Sequence, residues 1–397
     1  MAKALEGTRV LDLTRMYSGP LGGLILAELG ADVIKIEVPD GGDAIRTTAP
    51  LTEGQESYRY ITLNRGKRGI TLNLNSKEGQ RICKELVKKC DVLLENFTPG
   101  VMEGFRLSYK ELKPLNPRLI YCSISGFGHT GPYRSLVAFD TIIQAMGGLI
   151  SINGHPDAPP TKAGPAIADI LGGIFSTLAI LAALQYRNGT NKGQFIDLSM
   201  QDLIWFITSM QFLPFYWTTG QEPKRLGNRQ LEVTPFNIYK AKDGWIVIAT
   251  VTVGQFERLM DVIGRPELKK VPEYASQVTR IHHAEDMDAI LECWTRERTV
   301  EEIIKLLRAA DLPCSTVPSF GQVVNDPQLA SRNMIVEVEQ LISSKVKMPG
   351  SVFKMSESPG NPTQPSPFLG QHNAEVYSEL LGYDQATIDN LQRKGVI

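Results

Sequence analysis

Over the first 150 residues, short apolar runs of strand character alternate with longer segments of helical spacing. "RVLDLT" (9–14), "DVIKIEV" (32–38), "GITLNL" (69–74), "DVLLENF" (91–97) and "RLIYCSISGFG" (118–128) have strand character. Between them, "GPLGGLILAELG" places its apolar positions at helical intervals and stops on Gly30, and "SKEGQRICKELVKKC" opens on Ser76 as a cap. Strands alternating with helices predict β-α-β units with right-handed crossovers, hence a parallel-sheet α/β domain over at least residues 1–150.

The pattern then changes. From 161 to about 215 the chain is apolar and helical, and residues 218–235, "TTGQEPKRLGNRQLEVTP", have the Gly, Pro and charge content of a linker. "FNIYKAKDGWIVIATV" predicts a β-hairpin turning at Lys242-Asp243-Gly244, with helices near 254–264, 284–294 and 299–310. A return stretch starts at "NDPQLASRNMIVEVE", and helices end the chain. The expected organisation is a large α/β domain of residues 1–216 and 326–397 around a linker and smaller α+β domain of 217–325.

Composition narrows the function classes. The 397 residues are 42% hydrophobic with a net charge of -1, which disfavours nucleic acid or an anionic membrane as a general partner. Residues 170–186 are uncharged but shorter than the ~20 residues of a membrane span. Their small residues Gly172, Gly173, Ser176 and Thr177 predict a buried helix. Five cysteines without a C-x-x-C pair, and no apolar leader, suggest reduced thiols in a cytoplasmic protein.

Candidate chemistry follows from single stretches. Gly19, Gly22 and Gly23 ahead of Glu37 sit where a dinucleotide fingerprint would, but they do not form G-x-G-x-x-G, so a nicotinamide dehydrogenase is only an alternative. Arg65, Lys67 and Arg68 are either a solvated surface or a phosphate-contacting patch. "ENFTPGVME" lies at the carboxyl edge of the expected sheet, where such folds bind ligands. No histidine or carboxylate spacing matches a metal site, and no serine sits in a nucleophile elbow.

One carboxylate stands apart. Between Lys162 and Arg187 the only charged side chain is Asp169. A helix starting at Ile170 would make it an N-cap, with backbone amides holding it ionised in a dry place, where a carboxylate can serve as a nucleophile.

Together, "SGPLGGLILAELGADVIKIE", "DVLLENFTPGVME", "NPRLIYCSISGFGHTGPY", "FDTIIQAMGGL", "IADILGGIFSTLAILAAL", "KGQFIDLSMQD" and "PFLGQHNAEV" resemble, collinearly and over nearly the whole chain, the class III coenzyme A transferases. That is the family of formyl-CoA, carnitine and bile-acid CoA-transferases. The resemblance implies a Rossmann-like large domain, a smaller inserted domain, an interlocked homodimer, and CoA thioesters as substrates with no resident cofactor; a heteromer with a related chain is the other assembly it allows. It implies that Asp169 attacks an acyl-CoA to give a mixed anhydride and then an aspartyl-CoA thioester. It maps the CoA site onto Tyr17, Ser18, Leu72, Asn73, Asn75, Asn96, Phe97, Thr98, Val137, Phe139 and Asp140.

Departures from the family pattern bear on substrate. Val38, Gly104 and Asn75 stand where basic residues occur in relatives, with Arg106 as a nearby substitute, and Tyr17 replaces a glutamine. Residues 227–235 occupy the place of a glycine-rich lid. These changes point away from the formyl/oxalate pair. The sister α-methylacyl-CoA racemases carry a histidine where this chain has Phe139, which cannot move a proton. A non-catalytic CoA-binding partner subunit is a further alternative. The aromatic stretch 205–217 is expected in a pocket, in the core or at a dimer interface.

Overall fold

A computed structural model describes residues 3–361 and 363–397. The chain divides into two compact units, one of residues 1–149, 163–214 and 327–397, the other of 150–162 and 215–326. Residues 150–162 thus pack with the second unit rather than with the larger domain expected to contain them. The Arg225 guanidinium gathers that segment by donating to the carbonyls of His155, Pro156 and Ala158.

The first unit is built on six parallel strands: β1 (Arg9–Asp12), β2 (Asp32–Glu37), β3 (Arg68–Thr71), β4 (Val92–Glu95), β5 (Ile120–Ser125) and β6 (Phe195–Ser199). Their order is β3-β2-β1-β4-β5-β6, with Val10 of β1 level with both Val33 and Val92. The winding therefore reverses between β1 and β4, and in such sheets ligands bind outside the carboxyl ends at that reversal. Both faces are covered, so most strand residues are buried and apolar. Helix Lys77–Val87, capped by Ser76, packs one face together with the C-terminal helices Asn373–Leu381 and Gln385–Arg393.

Helices Ser18–Glu28 and Ile167–Thr190 cover the other face. The second is long and apolar enough to cross a membrane by length and composition. Here it lies close against the first: a Cβ on Gly173 would stand 2.8 Å from the Leu21 Cβ and from the Ser18 carbonyl, and one on Gly22 would stand 2.5 Å from the Ser176 hydroxyl. The small residues noted in the sequence are what lets these backbones approach.

An antiparallel hairpin of β10 (Ile335–Gln340) and β11 (Ser344–Pro349) completes the first unit, its apolar side chains forming a small core with helix Tyr58–Asn64. The second unit has an antiparallel sheet of β7 (Phe236–Lys240), β8 (Trp245–Ala249) and β9 (Cys314–Thr316). Helices Val253–Val262, Ala284–Arg296 and Val300–Ala309 share its core.

Candidate active site

The carboxyl ends of β1, β4 and β5 open into a cavity of about 670 Å³. Its wall holds Tyr17 and Ser18 from the loop after β1, Asn96, Phe97 and Thr98 after β4, and Phe139, Asp140 and Asp169. Eight of the residues the resemblance singled out are thus brought to one place from four separate stretches.

The first loop is held from below by buried ion pairs. Asp12 and Lys67, both wholly inaccessible, pair at 2.8 Å, and Asp12 also accepts the Thr14 amide. Burial alone would raise the Asp12 pKa, but Lys67 and Lys35 outweigh it and the net shift is downward. Asp43 pairs with Lys35 at 3.2 Å and accepts the Met16 amide, which fixes Met16 in the left-handed region at φ 65°. From the side, the Asn96 amide accepts from the Arg15 N–H and donates to the Arg15 carbonyl, each at 2.8 Å. Asn96 therefore braces the loop that carries Tyr17.

Asp169 is not the helix cap. The helix starts at Ile167, three residues earlier than its apolar spacing suggests, and Asp169 is its third residue. The cap comes from Asp140, whose Oδ1 accepts the Ala168 amide at 2.8 Å. Its Oδ2 accepts from Gln144 at 2.7 Å, and the buried Gln144 in turn accepts the Ala163 amide at 2.9 Å. Among the described residues no group hydrogen-bonds to the Asp169 carboxyl. Burial, reinforced by the charge of Asp140, pushes its pKa up to about 7. The carboxylate is therefore poised rather than firmly ionised, contrary to the expectation from a cap. Tyr17 shares this environment, its hydroxyl pushed up by burial and by Asp169.

A falling pH should protonate Asp169 before an ordinary carboxylate. For a reaction that needs the carboxylate, kcat/KM rises about tenfold per pH unit up to the pKa of the free enzyme and is level above it, here about 7. Asp140→Asn keeps an acceptor for Ala168 but removes the neighbouring charge, so the midpoint of the profile should move to lower pH. An unmoved midpoint would separate Asp140 from the electrostatics of Asp169.

The other expected CoA residues divide. Leu72 and Asn75 line a narrow pocket of about 20 Å³, to which Arg15 and Phe97 also belong, so these two residues connect both hollows. Asn73 instead ties its own turn, accepting the Asn75 amide and donating to the Gly395 carbonyl. Val137 is exposed and Arg106 takes a left-handed φ of 55°; neither lies in either wall. The two cations of the wall were not singled out in the sequence: Arg15, whose guanidinium stacks 5.0 Å over Phe97, and Arg59 of helix Tyr58–Asn64.

Three readings of the sequence change. Glu37 cannot serve a ribose, because Arg46, the Tyr60 hydroxyl and the Asp43 amide occupy its oxygens. Arg65, Lys67 and Arg68 are neither surface nor phosphate patch, since they pair with Glu28, Asp12 and Asp32. In the aromatic stretch, Trp205, Phe206, Met210, Tyr216 and Trp217 are exposed and absent from the cavity wall.

A doubly wound sheet with a cavity at its topological switch point, and a carboxylate of raised pKa in the cavity wall, is the layout of a ligand-binding site. Residues 5–373 match CoA-transferase family III, and the chain belongs to that family. It is 36% identical over its full length to a succinyl-CoA–D-citramalate CoA-transferase of Chloroflexus aurantiacus, covering 98% of that protein. It is 40% identical to an acetyl-CoA:oxalate CoA-transferase of Acetobacter aceti over 90% of this chain and 92% of that one. A solved CAIB/BAIF family protein from Brucella suis superimposes with a TM-score of 0.83 at 35% identity, over 96% of this chain and 100% of that one. The chain is a CoA-transferase, acting between acyl-CoA and carboxylate.

Proposed function

We propose that this enzyme moves CoA from an acyl-CoA to a dicarboxylic acid through covalent intermediates on Asp169. The observation that carries the reading is the Asp169 carboxyl itself, in the wall of the cavity, unpaired and with its pKa raised to about 7. A poorly solvated carboxylate is a better nucleophile than one held by strong donors. Burial that raises its pKa also keeps water from a mixed anhydride.

The steps balance without a net proton. A carboxylate oxygen of Asp169 attacks the thioester carbonyl, the C–S bond breaks, and the CoA thiolate leaves with the electron pair. The thiolate then attacks the Asp169 carbonyl carbon, which releases the donor acid bearing one oxygen from Asp169. The acceptor carboxylate attacks the resulting aspartyl-CoA thioester and expels the thiolate again. In the last step the thiolate takes the acceptor's acyl carbon, and Asp169 regains its carboxylate with one oxygen from the acceptor.

The dicarboxylate half of the reading rests on the citramalate and oxalate relatives, both of whose acceptors carry two carboxylates. The assembly is proposed as a homodimer, because Ile174, Leu178, Trp205, Phe206 and Met210 expose a large apolar surface that a second copy would cover. Light scattering should give the mass of two chains; a monomer would contradict it.

Incubation with acyl-CoA donors followed by hydroxylamine tests the chemistry. A hydroxamate on the peptide containing Asp169 is expected with competent donors. Transfer without such a product would overturn the covalent route, and exchange of the substrate α-proton without transfer would instead indicate a racemase.

A further inference from the structure

We propose that Arg59 is the specificity residue that recognises the second carboxylate of the acid, the one that does not react. The inference rests on the reading of Asp169 as the nucleophile.

Two cations and two acids line the cavity wall: Arg15, Arg59, Asp140 and Asp169. A dicarboxylate entering such a cavity meets two like charges beside the reacting centre, and something must offset them. Asp140 is already committed to Ala168 and Gln144. Arg15 stacks over Phe97 and is shared with the narrow pocket of Leu72 and Asn75, whose wall does not include Arg59. Arg59 remains. Its charge acts on the Tyr17 hydroxyl, as do those of Asp169 and Asp140, so these four groups share one electrostatic neighbourhood.

Arg59 is also uncommitted. The buried or part-buried cations around the sheet are paired, Lys35 with Asp43, Arg46 with Glu37, Arg65 with Glu28 and Lys67 with Asp12. Among the described residues Arg59 has no ion pair and its guanidinium makes no hydrogen bond. Nor does its helix gain from it. Arg59 is the second residue of Tyr58–Asn64, at the end where a cation opposes the helix dipole. The helix is firmly seated without it: Ser57 caps the Tyr60 amide, Tyr60 bonds Glu37, and Tyr60 and Ile61 pack with Tyr17 and Leu21. A free guanidinium on a rigid support is what fork-like recognition of a carboxylate requires.

The chemistry decides which carboxylate it recognises. The reacting carboxylate loses its charge when it becomes a thioester, so a strong ion pair to it would stabilise the ground state and slow transfer. The distal carboxylate keeps its charge throughout, and pairing it with Arg59 fixes the acid without opposing the reaction.

The test compares glutarate with pentanoate, acids of equal chain length, as acceptors from acetyl-CoA and from succinyl-CoA. In Arg59→Gln the ratio of kcat/KM for glutarate to that for pentanoate should fall about 10- to 100-fold, the effect of losing one charged hydrogen-bonded pair. The loss should lie mainly in KM, and Arg59→Lys should restore part of it. An unchanged ratio in a variant whose melting temperature and CoA affinity match the wild type would overturn the proposal. So would a wild-type enzyme that labels Asp169 yet prefers pentanoate, leaving the covalent reading intact. Transfer of CoA to either acid with Asp169 never labelled would instead overturn the covalent reading itself.

Discussion

Asp169→Ala is expected to lower CoA transfer by at least about 10⁴-fold, the scale on which nucleophile removal acts when no other group can replace it. Among the described residues no other free carboxylate lines the cavity, because both oxygens of Asp140 are engaged. CoA affinity should persist if the site is the one the resemblance maps, since Asn96, Phe97 and Asn75 are untouched. The fold should persist as well, and linkage says in which direction stability moves. The folded carboxyl keeps its proton to about 7 against an ordinary 3.8, so the folded state binds more protons than the unfolded one between those values. The contribution of Asp169 to stability is therefore complete below pH 3.8 and lost as pH rises through 7. At pH 8 the neutral variant Asp169→Asn should melt at or above the wild-type temperature, and the two should converge in acid. Calorimetry at both pH values alongside the assay checks this; an inactive variant that also melts early at pH 8 would leave the loss of activity attributable to unfolding.

The second large effect is on stability. Lys67→Met should destabilise the protein by about 3–5 kcal/mol, because it strands a buried carboxylate. Lys67 and Asp12 are both fully buried, and the ammonium also donates to the Pro20 carbonyl and to Asn64. By contrast, Arg81→Met breaks an exposed pair with Glu78 and should change stability by less than about 1 kcal/mol. Urea unfolding distinguishes the two. Equal effects would mean that the pair beneath the first loop contributes no more than a surface contact.

The sequence carried the parts of the fold that rest on local signals. β1 to β5 and the helices Ser18–Glu28 and Lys77–Val87 were legible because apolar runs were punctuated by a glycine with φ of 104° at Gly30 and a serine cap at Ser76. β6 was not, since its five residues are mostly half-buried and carry Asp197 in their centre. Helix Tyr58–Asn64 is too short to show a period, and with it Arg59 escaped notice. The faint signal there was a cation in the first turn, where the helix does not want one.

Partnerships across long stretches of chain were illegible for a physical reason: a charge shows no preference in the sequence for one distant partner over water. "NRGKR" therefore read equally as surface or as a phosphate patch, although Arg65 and Lys67 find Glu28 and Asp12, respectively 37 and 55 residues away. The start of the helix that carries Asp169 was misplaced likewise. Spacing pointed to Asp169 as the cap, while the cap lies 28 residues upstream of Ala168, at Asp140. The family resemblance supplied both aspartates as site residues, and the geometry separates their settings: Asp140 holds the helix start, and Asp169 stands in the cavity wall with its carboxyl unpaired.

Oxygen transfer from the acceptor reports on the chemistry at Asp169. The enzyme is turned over with an acyl-CoA and an acid whose carboxylates carry heavy oxygen, then digested, and the peptide containing Asp169 is weighed. Attack through the covalent sequence exchanges one Asp169 carboxyl oxygen for a heavy one in each full cycle, to a limit of two, and labels nothing else in the protein. Efficient transfer with an unlabelled Asp169 would mean that the acid and the acyl-CoA react directly, and that this carboxylate is not the nucleophile.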